Sequence, residues 1–304
     1  VAGRRVLRHH AHHAVRRRRT GLEEPPGTAR RGAHLVVHAA VARRPDVGRR
    51  RCAGRTHGAG DRHGTGCSTA LACERLGSAD VTSIEVDPHR LEQAADALYS
   101  CGYTPTLAVA DGLYGYWPEA PFDRIVAACS FRAVPPALFG QARPGGKILL
   151  TLSGWLYGYA RVLLTVGEDD TAEGQLLGGT VSFMSARTHA APAFGNPAHW
   201  AAGLPQTGRA ARHSPERITA ASKEAFHLRF LAQCAVPDVQ MTTVGEVVHL
   251  VDVVSGSAAA LIPVEGWWDV RESGPVRVWE RIERVLSAYD EAGRPGPETF
   301  TLHV

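Results

Sequence analysis

Two carboxylates and a glycine loop, all between His63 and Asp111, are the residues in this chain whose types and spacing suit chemistry. Gly64-Thr65-Gly66 precedes a helix-forming run. Glycines let the backbone approach a ligand closely, and a helix N-terminus favours negative groups. Glu85 lies 19 residues beyond Gly66 in the apolar run VTSIEVD. In doubly wound sheets an acid near that spacing, at the C-terminal end of a strand, holds ribose hydroxyls. Asp111, followed by Gly112, closes a further apolar run, where a carboxylate suits an exocyclic adenine amine. Together the parts describe a nucleoside site. Each also has a plainer reading: a common turn for the glycines, an ordinary strand-end acid for Glu85, an Asp-Gly turn for Asp111. Asp87, followed by Pro88, is the better helix cap, which leaves Glu85 available to a ligand.

The elements that must position these residues alternate. CSTALACERL has a helical pattern with Ala70, Leu71 and Leu76 on one side. Val81–Asp87 reads as a buried parallel strand. HRLEQAADALYSCGY is a helix with Leu91, Ala94, Ala95 and Leu98 on its apolar face, stopped by Gly102. TPTLAVADG, Ala120–Ser130, Lys147–Leu152 and Tyr159–Val166 supply four more strands. This alternation argues for a mostly parallel, doubly wound α/β sheet with ligands at its C-terminal edge. Beyond Gly167 no motif reads as chemistry. The Gly-, Pro- and Ala-rich stretch from Gly179 to Arg217 is expected to loop over the sheet, and His189, His199 and His213 lack ligand spacing, so they read as structural or exposed. Two strands around a Ser-Gly-Ser turn follow, then an amphipathic helix with Val278, Ile282, Val285 and Leu286 inward, then a last strand in ETFTLHV. The expected division is 1–57 as an Arg/His-rich disordered segment, 58–166 as the binding domain, and 167–304 as an accessory α+β region.

The motifs GTGCSTALACERLG, VTSIEVDPHRLEQAADAL, Ala110-Asp111-Gly112 and APFDRIVAACSFRAVPPALFGQARPGGKILLTL resemble those of the protein-L-isoaspartate O-methyltransferase family, in the family's order from Gly64 to Thr165. The resemblance implies a Rossmann-like domain that binds S-adenosylmethionine (SAM) and transfers its methyl group to an isoaspartyl carboxylate of a polypeptide. By position, Gly64 and Gly66 would line the methionine end of SAM, with Ser68 and Thr69 opening the helix behind them. Glu85 would hold the ribose, and Asp111 beside Gly112 the adenine. Some relatives methylate an Asp of a precursor peptide. Cys129-Ser130-Phe131-Arg132 replaces the family's small-residue run and points toward that branch, with Arg132 as a clamp for the acceptor carboxylate or, more plainly, a surface arginine. Ala110 stands in place of a usual glycine, and Cys67 in place of an aromatic residue. The reaction needs alignment and desolvation more than proton transfer, because a carboxylate is already a nucleophile at neutral pH.

Charge sets the first 66 residues apart. They hold 16 Arg, no Lys and four acids, a net charge of +12, against −8 for the remainder. With almost no large apolar side chains, this segment is expected to stay disordered. Arg16–Arg19 and Arg49–Arg51 would attract phosphates, but no aromatic residue interleaves to stack on bases, so a nucleic-acid role is the weaker reading. His9, His10, His12 and His13 lack a completing ligand, and no metal is expected. The composition matches a high-GC gene translated out of frame. Read one base later, the codons of Thr56–His63 permit His-Thr-Val-Leu-Glu-Ile-Gly, an apolar strand running into Gly64. The codons of Leu35–Gly48 permit a polar loop and the start of a helix, with Thr at the His38 codon supplying the family's active-site hydroxyl. On this reading residues 1–63 are a frameshifted translation. The family's first strand is then missing as written, and the chain is either an active methyltransferase or an impaired relic of one. Scattered cysteines without a CxxC pair, no signal peptide and no apolar run of membrane length lead to the expectation of a cytoplasmic protein acting away from membranes.

Overall fold

A parallel strand carries its neighbours' unsatisfied backbone groups on both edges, so the order of strands decides where a binding edge forms. The computed structural model describes the backbone of residues 34–38 and all of residues 66–304 except 170. All of these belong to the unit Arg31–Val304. The strands are β1 (His34–His38), β2 (Val81–Glu85), β3 (Thr106–Val109), β4 (Phe122–Phe131), β5 (Ala142–Ser153), β6 (Tyr159–Val166), β7 (Ala172–Leu177), β8 (Arg209–Ala210), β9 (Val239–Val244), β10 (Val247–Asp252), β11 (Ser257–Val264), β12 (Trp267–Ser273) and β13 (Thr301–His303). The helices are α1 (Cys67–Leu76), α2 (Pro88–Ser100), α3 (Pro136–Gln141), α4 (Pro197–Ala202), α5 (Glu216–Thr219), α6 (Lys223–Ala235) and α7 (Val278–Glu291).

One eight-stranded sheet runs β13-β7-β6-β5-β4-β1-β2-β3. Its half from β3 to β5 is parallel, as expected of a Rossmann-like α/β domain. From β5 onward the pairing turns antiparallel. The connection of residues 154–158 is too short for a crossover helix, so β6 can only fold back along β5. Buried Ile125, Ile148, Leu150, Val162 and Leu164 form the core on one face of this sheet. A second, five-stranded sheet, β8-β12-β11-β10-β9, packs Leu250, Leu261 and Val270 against Trp279, Ile282 and Leu286 of α7.

Three expectations change. The first strand is present: His34–His38 occupies the central slot between β2 and β4, inside the segment expected to lack structure and upstream of the Thr56–His63 position that the shifted frame offers. HLVVH carries two adjacent β-branched residues beside a leucine, which suits it to a slot paired on both sides. The remaining residues of 1–63, with the expected disorder and shifted frame, lie outside the described residues. The boundary after 166 also moves. β7 and β13 extend the same sheet, and α6 places Phe230 in one core and Leu228 in the other. Finally, α1 turns Thr69 and Cys73 inward, one helical turn apart, while Leu71 is 68% exposed. Among the described residues no helix is long and apolar enough to cross a membrane.

Candidate active site

Glu85 ends β2 directly opposite Val109 of β3, and Asp111 follows two residues later. Side chains paired in register on parallel strands share a face, and alternate residues return to it, so both acids are directed to one side of the sheet edge. Each bears electrostatically on the same thiol, that of Cys129 on β4. Both carboxylates thus lie at the C-terminal ends of adjacent parallel strands.

Glu85 is 4% exposed. Its Oε1 accepts the Asp87 amide at 3.0 Å, whereas Oε2 is buried with no hydrogen-bond partner among the described residues. Burial pushes its pKa up, against the opposing pull of the Asp87 and Val86 amides. A buried polar atom without a partner is uncommon, and a ligand hydroxyl would satisfy it. Asp87 acts as the helix cap, accepting the His89 and Arg90 amides at the start of α2. Asp111 Oδ1 accepts the Leu113 amide at 2.9 Å, which fixes the turn through half-buried Gly112.

Gly66 caps α1 with φ +72°, and a Cβ there would lie 3.1 Å from Leu98 Cγ, so the position demands glycine. Gly64 lies outside the described residues. Ser68 is exposed and turned away from the crevice. Its neighbour Thr69 takes the inner position and donates to Ser83 Oγ at 3.0 Å. Beneath these residues, Gly66, Thr69, Ser83, Glu85, Leu98 and Leu107 line a crease of about 10 Å³, room for a single water. Any larger ligand must lie across its rim. A separate cavity of about 570 Å³ sits on the antiparallel half of the sheet around Lys147, Thr165 and Glu173, away from both acids.

At the end of β4 the register with β5 slips between Val126 and Ser130. Bulges of this kind re-aim side chains beside sites. Here Cys129, Ser130 and Phe131 are buried in succession. Burial, reinforced by Glu85 and Asp111, pushes the Cys129 thiol up to about 12. Iodoacetamide at pH 8 should therefore modify exposed Cys67 and leave Cys129 untouched until the protein unfolds; peptide mapping that finds Cys129 labelled as fast as Cys67 would show the crevice open to solvent.

Arg132 does not stand free as a carboxylate clamp. Its guanidinium pairs with Asp238 at 2.7 Å, donates to the Pro237 carbonyl at 3.0 Å, and lies 3.6 Å from the centre of the Trp155 ring. The charge is already committed, and it fastens the tip of β4 to the turn before β9.

Within the stretch expected to loop over the sheet, residues 183–189 form a strap whose anchors the sequence did not name. Ser130 bonds it through both backbone groups, to the Met184 carbonyl and the Ala186 amide, each at 2.9 Å. Ser130 Oγ also donates to the Phe183 carbonyl. Arg187 then reaches Asp87, just past the end of β2, at 2.8 Å. Because β1 lies between β2 and β4, the strap spans the C-terminal end of that central slot. His189 follows on the strap, its Nδ1 accepting the Arg132 amide at 3.1 Å and its carbonyl accepting Trp155 Nε1. No local signal ties residues 57 apart in sequence, so this contact was not legible beforehand.

Sheet order, the αL glycine and the acid-tipped β2 and β3 strands define a Rossmann-like domain of the methyltransferase kind. The model of the protein-L-isoaspartate(D-aspartate) O-methyltransferase family matches residues 62–169. Protein-L-isoaspartate O-methyltransferase of Thermococcus onnurineus is 37% identical over 90 residues, 29% of this chain and 40% of that protein. Protein-L-isoaspartate O-methyltransferase 2 of Shewanella sediminis is 35% identical over 112 residues, 36% of this chain and 45% of that protein. The matches thus span less than half the length of these curated relatives. A solved protein-L-isoaspartate O-methyltransferase overlays 90% of this chain and 73% of its own, with a TM-score of 0.43 and 16% identity.

Proposed function

We propose that this chain binds SAM across the tips of β2 and β3 and methylates a carboxylate of a protein or peptide, an isoaspartyl or aspartyl side chain, in a reducing cytoplasm. The observation that carries this reading is the buried Glu85 carboxylate, whose Oε2 has no hydrogen-bond partner among the described residues. Glu85 accepts the ribose hydroxyls and Asp111 the adenine amine. Gly66, with Gly64 before it, leaves room for the methionine end, and Gly112 keeps the adenine-side turn tight. SAM supplies a methyl group activated by its sulfonium. The chain's own contribution is alignment: the strap and the β4 tip exclude water and hold the acceptor oxygen in line, with no proton to move. The altered Ser130-Phe131-Arg132 run, closed over by the strap, supports a peptide acceptor of the precursor-modifying kind.

The crease of about 10 Å³ favours a second reading, a relic that keeps the fold without turnover. Titration calorimetry with SAM, followed by methyl transfer from labelled SAM to an isoaspartyl hexapeptide, separates the two. Saturable binding with base-labile label in the peptide is the expected result. Absent SAM binding, or binding without label, supports the relic and overturns the methyltransferase reading.

A further inference from the structure

We infer that His189 is an acceptor-binding residue, donating a hydrogen bond from Nε2 to the carboxylate that is methylated. This inference rests on the methyltransferase reading above. A backbone N–H only donates, so the Arg132 amide at 3.1 Å requires His189 Nδ1 to be unprotonated. The single proton of the neutral ring then sits on Nε2. Among the described residues no group accepts from Nε2.

The ring is held firmly in that orientation. Trp155 Nε1 donates to the His189 carbonyl at 3.1 Å, and Phe131 meets the ring edge-on at 6.1 Å between centroids. Burial and the nearby Arg132 charge pull its pKa down, and Asp111 opposes them, which also places His189 within electrostatic reach of the adenine-side acid. The strap that carries it is fastened to the tips of β4 and β2 on either side of the central slot. A fixed donor with no acceptor among the described residues, on a strap across the C-terminal end of the central slot, suits a carboxylate that must be oriented without losing its nucleophilic lone pair. Arg132 bonded to Asp238 cannot do this, and a full cation would hold the acceptor oxygen more tightly in the ground state than the reaction favours.

Two substitutions separate this role from a packing role. His189→Asn keeps an acceptor where Nδ1 lies but removes the distal donor. His189→Gln places an amide N–H near the position of Nε2. Affinity for an isoaspartyl hexapeptide is measured by fluorescence anisotropy with S-adenosylhomocysteine saturating, alongside KM, kcat and SAM affinity. The expected result is that H189N weakens peptide binding and raises KM roughly 10- to 100-fold, the range for one hydrogen bond to a charged group. SAM affinity should stay within about threefold by the same measure, and H189Q should recover most of the peptide affinity. An Asn variant that binds peptide like the wild type overturns the inference. So does a Gln variant as weak as Asn, or a loss of SAM and peptide affinity together, which marks a structural role. A wild-type chain that binds SAM but no isoaspartyl peptide removes the acceptor reading itself, and the inference with it.

Discussion

Glu85→Gln weakens SAM binding by roughly 100-fold while leaving the unliganded protein as stable as before or more so. Binding loses charge-assisted hydrogen bonds to the ribose, each about 1.5–3 kcal/mol, and 1.4 kcal/mol is a factor of about ten. Stability moves the other way because the carboxylate is buried with Oε2 unpartnered. The folded protein holds the Glu85 proton more tightly than the unfolded chain does, because burial raises the folded pKa. The sign follows: this group's contribution is most favourable below the ordinary glutamate range and declines as pH rises through the raised folded value. At pH 7 the wild type carries that cost and the Gln variant does not. Calorimetry with SAM and thermal melts of the apo protein at pH 5 and pH 7 test both halves. Unchanged SAM affinity would remove Glu85 from the binding site, and a marked drop in apo stability would show that its oxygen has a partner within the protein.

Glu283→Ala costs about 3 kcal/mol of stability, the upper end of the range for leaving a buried donor unsatisfied. Glu283 is fully buried on α7, with Oε1 accepting the Arg212 amide at 2.6 Å and Trp279 Nε1 at 3.0 Å, and Oε2 lying 2.8 Å from Arg209 Nη2. Alanine strands the indole N–H of a fully buried Trp279 and leaves Arg209 with Glu272 alone, at 3.4 Å. Glu283→Gln retains an acceptor for the indole and should cost clearly less. Urea unfolding of the two variants measures the difference, and equal losses would mean that the charge, not the hydrogen-bonding geometry, sets the energy. SAM affinity should not change in either, since this network ties β8 and β12 to α7 within the second sheet.

The parts of the site that lie on regular elements were legible in the sequence, because period and punctuation reveal them. Glu85 and Asp111 end apolar runs, Asp87-Pro88 announces a cap, and Gly66 precedes a helix; the structure places Glu85, Asp87 and Gly66 at the expected ends of their elements, while β3 stops at Val109, two residues before Asp111. Phase within the short α1 was not legible. Thr69 and Cys73 are buried though neither is strongly apolar, so the apolar count pointed to Leu71 and the site was assigned Ser68. Glu283 was hidden for the same reason, an acid at a core position of an amphipathic helix between Trp279 and Leu286. The anchors of the strap and the partners of His189 and Arg132 depend on contacts across 34 to 106 residues, which no short window of sequence reveals. The His34–His38 strand was missed because its neighbours' composition argued against any structure, whereas the slot between β2 and β4 selects for five residues only.

The pairing of β13 with β7 sets an order of events during synthesis. Residues 301–303 close the edge of the sheet that also holds the acid-tipped strands. A ribosome that has emitted the chain through Leu177 but not yet residues 301–303 has therefore released a sheet with β7 still bare along one side. Bare strand edges invite pairing with other chains. Nascent polypeptides stalled before residue 300 should thus be captured by chaperones or by one another, although every group proposed to touch SAM has already emerged.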